Sequence, residues 1–303
     1  MAKNTHAKFA IRIANFNILV HAIGKNIKLF TESILNNFLI ETSNSYDLTL
    51  KVHAKIPSEF IESKEVFKAP YIEEISGNKK EISSHLWSIR KFKNKYIVLS
   101  SSLSSLDSPN LALCFDLKSE NWNIYSDQQI SKINPFEYPM LPLILYYLTL
   151  KNDAIMIHAS GIKFGENGML FSGFSGAGKS TIAKICENNS AKIIHDDRLI
   201  IRKIENKYCI FNTPVYENDY SKKVVLNNIF LIYHNKQNVS KKLMGVEAIT
   251  RFMAFCIQHN YDEKIINKML NVISDITNKI PIHELGFLPD SSVIQYLKEN
   301  HFE

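Results

Sequence analysis

The sequence has no CxxC pair. Its four cysteines, Cys114, Cys186, Cys209 and Cys256, lie far apart, which excludes a zinc ribbon, offers no disulfide framework and points to a reducing, cytoplasmic setting. Long apolar runs are also missing. The longest, MLPLILYYLTL at 140–150, is about a dozen residues against the roughly 20 that a membrane-spanning helix needs, so it reads as a buried helix. The N-terminal MAKNTHAKFAIRIANF has no sustained apolar core ahead of a small-residue cleavage site, and no signal peptide is expected. No block of one charge sign stands out. The 36 Lys and Arg against 30 Asp and Glu give +6, a mild excess that suits a polyanionic ligand. The basic residues at Lys79-Lys80, 91–95, Lys222-Lys223 and Lys241-Lys242 are spread as on a solvated surface, which argues against a nucleic-acid arm. Repeats and low-complexity tracts are absent. With 45% hydrophobic and 22% charged residues, the chain reads as a folded protein long enough for two modest domains.

What is present begins with strand periodicity. In YDLTLKVHAKI, 46–56, apolar and polar residues alternate, giving one face to a core and one to water. FAIRIANFNILVHAI (9–23), LWSIRKFKNKYIVLSS (86–101) and LALCFDLKSENWNIYS (111–126) are also β-rich, and turn-prone KFKNK and LKSEN divide the last two. A helix is expected around 27–39. Residues 1–137 are therefore expected to form a β-rich, mostly antiparallel α+β domain without a catalytic constellation, and 138–303 a second domain. The second opens with a helix over 138–150, with Pro139 in its first turn and Pro142 placing strain just after it.

The chemistry lies beyond that helix. AIMIHAS (154–160) and GMLFSG (168–173) are short apolar runs joined by GIKFGENG, whose glycines and Asn suit a hairpin connection. Next, GFSGAGKS, Gly173 to Ser180, fits G-x-x-x-x-G-K-[ST] without a mismatch, between an expected strand and an expected helix at 179–187. Glycines let backbone N–H groups turn inward around phosphates, and the helix directs its positive dipole end at them. Lys179 can reach the β- and γ-phosphates, and Ser180 can ligate Mg²⁺. Gly173, Phe174, Ser175, Gly176, Ala177, Gly178, Lys179, Ser180 and Thr181 are accordingly the expected site for ATP or GTP. A fortuitous Gly-rich turn is the plain alternative.

One short helix later comes AKIIHDDR. Asp196 and Asp197 are expected at the carboxyl end of a strand, the edge where ligands of open α/β sheets bind. One carboxylate there can hold Mg²⁺ while the other accepts the proton of an attacking hydroxyl. A surface strand end followed by an Asp-rich turn is the alternative. His158 is a third candidate, set against a structural histidine satisfied by backbone. Arg198 either stabilises transferring charge or is an ordinary ion-pair partner.

Taken together, IHASGIKF, GMLFSGFSGAGKSTIAKI and AKIIHDDRLII resemble the catalytic domain of HPr kinase/phosphorylase and its HPr-kinase-like relatives. That family places a His on a strand, a hairpin, a phosphate loop, a short helix and an Asp-Asp pair in this order. The resemblance covers half the chain, 154–297, and implies a phosphoenolpyruvate-carboxykinase-like P-loop fold. It also implies roles: His158 near the transferring phosphoryl group, Gly173 to Thr181 around ATP, Ser180 with Asp196 at Mg²⁺, and Asp197 as the base. IFNTPVYE, LNNIFLIYHN, VEAITRFMAFCI and IPIHELGFLPDSSVIQYL are similar to stretches of stand-alone relatives of this size. Some of those belong to ribosomal-peptide gene clusters, lasso-peptide clusters among them, where a peptide hydroxyl is phosphorylated. Thr181 stands where true HPr kinases carry an acidic residue, and an Arg-Gly-Leu-Gly-type segment is lacking. Both departures weigh against HPr as substrate and against reversal of the reaction.

The expected function is an ATP- and Mg²⁺-dependent kinase that transfers the γ-phosphoryl to a hydroxyl, of Ser or Thr in a peptide or protein. The β-rich half would recognise the substrate or pair with a second copy of the chain. Two alternatives stand beside it: a kinase for a small metabolite such as an amino acid or sugar, and a regulatory nucleotide-binding module that transfers nothing. An ABC-type ATPase is disfavoured, since there is no LSGGQ-like signature and the helix-to-Asp spacing is too short for its intervening subdomain.

Overall fold

The alternation at 46–56 becomes the strand Leu48–Ala54, in which Leu48, Leu50 and Val52 are fully buried and the residues between them are half-buried. The computed structural model describes residues 5–41, 43–69, 71–75, 78–82, 86–102, 105–259 and 261–302, without the side chains of 5, 71–75, 78–82, 102 and 105–108. The chain is a mixed α/β protein that divides into two units. One comprises 1–148, 214–220 and 259–261, and the other 149–213, 221–258 and 262–303.

In the first unit nine strands form one sheet in the order Leu39–Ile40, Lys8–Ile13, Phe16–Ala22, Leu48–Ala54, Asn121–Ser126, Ser105–Phe115, Lys95–Ser102, Trp87–Phe92 and Lys64–Lys68. Pairing is antiparallel except on the two sides of Leu48–Ala54, where it is parallel. Ala14 and Asn15, both at positive φ, close the first hairpin, as a two-residue turn between right-twisted strands requires. Trp122, Phe16, Phe38 and Phe115 are almost wholly buried, each such side chain contributing about 1.5–3 kcal/mol.

Two local expectations are corrected here. The helix around 27–39 is replaced by the short strand Leu29–Phe30 and a 3₁₀ helix, Ser33–Phe38. The Ile, Thr, Ser and Asn residues of this stretch disfavour an extended α-helix, and Leu35 and Phe38, three apart and buried, anchor a tighter turn. The second helix, Met140–Lys151, starts after Pro139, and Pro142 lies in its first turn. A proline there removes no intrahelical bond, so it does not act as a point of strain.

Lys91, Lys93, Lys95, Lys223, Lys241 and Lys242 are exposed as expected and Lys222 is half-buried, whereas the side chains of Lys79 and Lys80 lie outside the described residues. The four cysteines are buried and unpaired. No helix among the described residues is long and apolar enough to cross a membrane.

The second unit is built from β1 (Ile155–Phe164), β2 (Asn167–Ser172), α1 (Lys179–Asn188), β3 (Lys192–Ile204), β4 (Lys207–Asn212), β5 (Lys223–His234), β6 (Val239–Leu243), α2 (Gly245–Met253), α3 (Glu263–Lys279), β7 (Ile282–Phe287) and α4 (Ser292–His301). The sheet order is β2-β1-β3-β4-β5-β7-β6, and β2 also pairs with β5, so the first five strands close into a ring. β2, β5 and β7 run parallel, which brings their carboxyl ends together. Ile182, Ala183 and Cys186 of α1 and Val293, Ile294 and Leu297 of α4 bury one apolar stripe each against Phe171, Phe230, Ile232, Leu285 and Phe287.

The hairpin expected between 154 and 173 is present, but its turn is narrower, at Gly165 and Glu166, because buried Ile162 and half-buried Phe164, packed on the core, carry β1 onward. A further correction concerns Asp196 and Asp197. They do not end a strand. They lie inside the thirteen-residue β3, which the buried Leu199, Ile200 and Ile201 extend and which turns back to β4 through Glu205 and Asn206, both at positive φ.

Candidate functional site

The loop at 173–178 leaves β2 and enters α1 in a shape that depends on glycine. Gly176 has φ +78° and Gly178 φ +95°, a region that side-chain-bearing residues occupy only under strain. At Gly173 the reason is space, since a Cβ would stand 2.8 Å from the Ile232 carbonyl oxygen at the end of β5. α1 begins without a side-chain cap and without an acidic residue in its first turn. Its leading N–H groups and positive dipole end are therefore set for an anion supplied from outside the helix.

Two side chains hold the loop from within. Lys179 Nζ donates to the carbonyls of Gly173 (3.1 Å) and Phe174 (3.3 Å), and burial pulls its pKa down while the charge of Asp196 opposes that shift. His234, the last residue of β5, lies with Nε2 2.7 Å from the Gly176 carbonyl oxygen. A carbonyl only accepts, so Nε2 carries the hydrogen. Of the expected loop residues, Ala177 is buried, Gly173 is enclosed by β5, Gly178 and Lys179 are half-buried, and Phe174, Ser175, Gly176, Ser180 and Thr181 are exposed.

The carboxylates reach the same sheet through β1. β3 runs antiparallel beside it with Ser160 opposite Asp196, Ala159 opposite Asp197 and His158 opposite Arg198. The buried Ser160 hydroxyl donates to Asp196. Asp197 has different partners: its Oδ1 lies 3.2 Å from His158 Nδ1 and its Oδ2 3.2 Å from Arg198 Nε. The hydrogen bond from His158 and the adjacent Arg198 guanidinium hold the Asp197 carboxyl below the usual carboxylate range, against the opposing effect of burial. Within a strand whose flanks are buried, Asp196, Asp197 and Arg198 are half-buried, and the His158 side chain is 55% exposed. Ser172, the last residue of β2, donates to the His158 carbonyl oxygen at 2.8 Å, which ties the start of the loop to the strand that carries the histidine.

His158, Asp197 and Arg198 are thus brought together, and Asp196 is set with Ser160 where its charge acts on Lys179. Ser160, Ser172 and His234 were not anticipated from the sequence. The first two read as ordinary strand serines, and the third lies 58 residues from its loop partner.

Among the described residues no group of three or more His, Cys, Asp or Glu side chains forms a metal cluster. Mg²⁺ at a nucleotide does not require one, since it takes one or two protein oxygens and completes its shell with phosphate and water. The hydroxyl of Ser180 and the carboxylate of Asp196 are oxygen donors of that kind.

No protein-family model matches the chain, and no curated protein matches it. Among solved structures, the Hpr(Ser) kinase/phosphatase from Coxiella burnetii is similar over 48% of this chain and 95% of its own, with 9% identity and a TM-score of 0.31. A likeness of that size decides neither fold nor function.

Proposed function

We propose that the second unit is an ATP- and Mg²⁺-dependent phosphotransferase of the phosphoenolpyruvate-carboxykinase-like P-loop type, and that it moves the γ-phosphoryl group to the hydroxyl of Ser or Thr in a peptide or protein. The observation that carries this reading is the placement of Asp197 between His158 and Arg198, with His158 on β1, which pairs with the strand that feeds the phosphate loop, and Asp197 and Arg198 on β3 at the other side of β1. A loop alone is a triphosphate grip. A carboxylate kept ionised beside it is what transfer to an alcohol calls for.

In this reading the loop N–H groups from Gly173 to Thr181 cradle the phosphates, and Lys179 exchanges the Gly173 and Phe174 carbonyls for phosphate oxygens. Ser180 and Asp196 would hold Mg²⁺, which when bound neutralises charge on the β- and γ-oxygens. Asp197 accepts the hydrogen bond of the acceptor hydroxyl and fixes its oxygen in line, a positioning task that its depressed pKa favours over strong basicity. His158 and Arg198 hold that carboxylate and offer positive charge or hydrogen-bond donors beside the phosphoryl group. The exposure of His158 leaves room for an acceptor attached to a longer chain. The β-rich region at 1–137 would recognise that chain or pair with a second copy, and the unpaired, buried cysteines suit a cytoplasmic setting.

The test is transfer of label from γ-phosphate-labelled ATP to three acceptor sets: Ser/Thr peptides, free hydroxy amino acids, and sugars. Labelled peptide alone supports the reading. Label confined to the small molecules overturns the acceptor class, and no label in any set despite ATP binding overturns transfer itself.

A further inference from the structure

A cavity of about 190 Å³ opens beside the loop, walled by Phe174, Tyr233, Arg251, Ala254, Phe255 and Glu284 among others. It lies along β5 and β7, whereas the carboxylates lie on β3; at their level the sheet runs from Asp196 through Ser160 of β1 and Phe171 of β2 to Phe230 of β5, so β2, which feeds the loop, stands between the two. In the reading above, the phosphoryl group being transferred sits at Asp197. A nucleotide with that end at the carboxylates and its phosphates on the loop directs its other end across β2, toward β5 and β7.

The walls match what arrives there. Phe174 is 76% exposed although it belongs to the phosphate loop, and its ring meets Phe255 edge-on at 5.1 Å and 71°. Tyr233 at the end of β5 is also exposed. Aromatic faces open to solvent beside a phosphate site are stacking platforms for a base. The polar part is a single ion pair, Arg251 to Glu284, with the guanidinium held from its other side by Glu247 at 3.3 Å. It sets donors and an acceptor side by side, the complement of a purine edge that carries ring-nitrogen acceptors next to an exocyclic group. The volume is well under the roughly 300–1,000 Å³ of sites that enclose a drug-sized ligand, and so suits one bicyclic ring rather than a whole nucleotide.

We propose that this cavity binds the purine base of the nucleotide, with the ring stacked on its aromatic wall and its edge read by Arg251 and Glu284. The proposal rests on the phosphate-loop reading and deepens it.

The experiment is calorimetric titration of the full chain with Mg²⁺ salts of ATP, CTP and inorganic tripolyphosphate. Tripolyphosphate probes the loop without a base. Wild-type protein is expected to bind ATP more tightly than CTP or tripolyphosphate. Phe255→Ala is expected to raise the Kd for ATP about five- to one-hundred-fold, the span of one lost base–aromatic stack, and to leave that for tripolyphosphate unchanged. Ala254→Trp fills the cavity from an exposed position and should act likewise without disturbing the core. If both variants keep wild-type affinity for ATP, or if wild type binds ATP and tripolyphosphate equally, the base site is overturned and the loop reading stands. If wild type binds neither, the loop reading falls and the base site with it.

Discussion

Gly176 and Gly178 offer a paired test of how the loop is built, because alanine strains the backbone at both and crowds its surroundings at only one. With φ of +78° and +95°, either substitution costs about 1–3 kcal/mol in backbone strain. A Cβ on Gly176 would meet nothing within 4 Å. On Gly178 it would stand 2.9 Å from Phe287 Cζ and 3.4 Å from Cε1. Phe287 is 1% exposed and packed in the core beneath α1, so its ring cannot swing aside, and overpacking of this kind costs about 1–3 kcal/mol more. Gly178→Ala is therefore expected to destabilise the protein by about 1–3 kcal/mol beyond Gly176→Ala. Urea unfolding followed by far-ultraviolet circular dichroism measures the difference from the midpoints, provided the slopes agree. Equal midpoints for the two variants would refute the claim that Phe287 closes the underside of the loop.

His234→Ala removes the bond to the Gly176 carbonyl. It should raise the Kd for MgATP about two- to thirteen-fold, as expected for one hydrogen bond of net 0.5–1.5 kcal/mol; unchanged affinity in the same titration would show that the bond does not position the loop. Asp197→Asn should lower kcat about one-hundred-fold, the scale of a misplaced reacting group, with nucleotide affinity preserved. Loss of MgATP binding instead would move Asp197 from transfer to grip. His259, hydrogen-bonded to Tyr147 at 3.2 Å and packed on Tyr146 and Trp87, has its pKa pushed down by burial from 6.5 to about 3. Below pH 6.5 the unfolded chain takes up a proton that the folded chain refuses, so stability is full above that pH and falls as pH drops toward 3. The loss is about 1.4 kcal/mol per unit, or about 2 kcal/mol at pH 5. Urea midpoints at pH 7.5 and 5 should show a loss of stability that is smaller in His259→Asn than in wild type, the remainder coming from His283, whose pKa burial lowers to about 4; equal losses would contradict burial of a neutral imidazole at 259.

The parts of this molecule that were legible in advance are those in which residue type is dictated locally. Strands such as Leu48–Ala54 announce themselves because burial on one face imposes a period of two. The loop announces itself because left-handed turns and close backbone approach admit little besides glycine. The course of β3 was hidden for the opposite reason. Asp196, Asp197 and Arg198 look like the polar end of a strand, and the apolar residues after them look like a new one. What keeps them in one strand is unbroken pairing with β1 from Asp196 to Ile201, a non-local property. The same holds for Ser160, whose role depends on lying opposite Asp196, and for Arg251 and Glu284, which meet only when α2 is laid over β7.

The most direct test of the central claim is intact-mass spectrometry of Ser/Thr peptides incubated with MgATP and either the wild-type chain or Asp197→Asn. An adduct of about 80 Da, one phosphoryl group, is expected on hydroxyl-bearing peptides with wild type, and its loss with the variant. Peptides left unmodified by a wild-type protein that binds MgATP would contradict the claim.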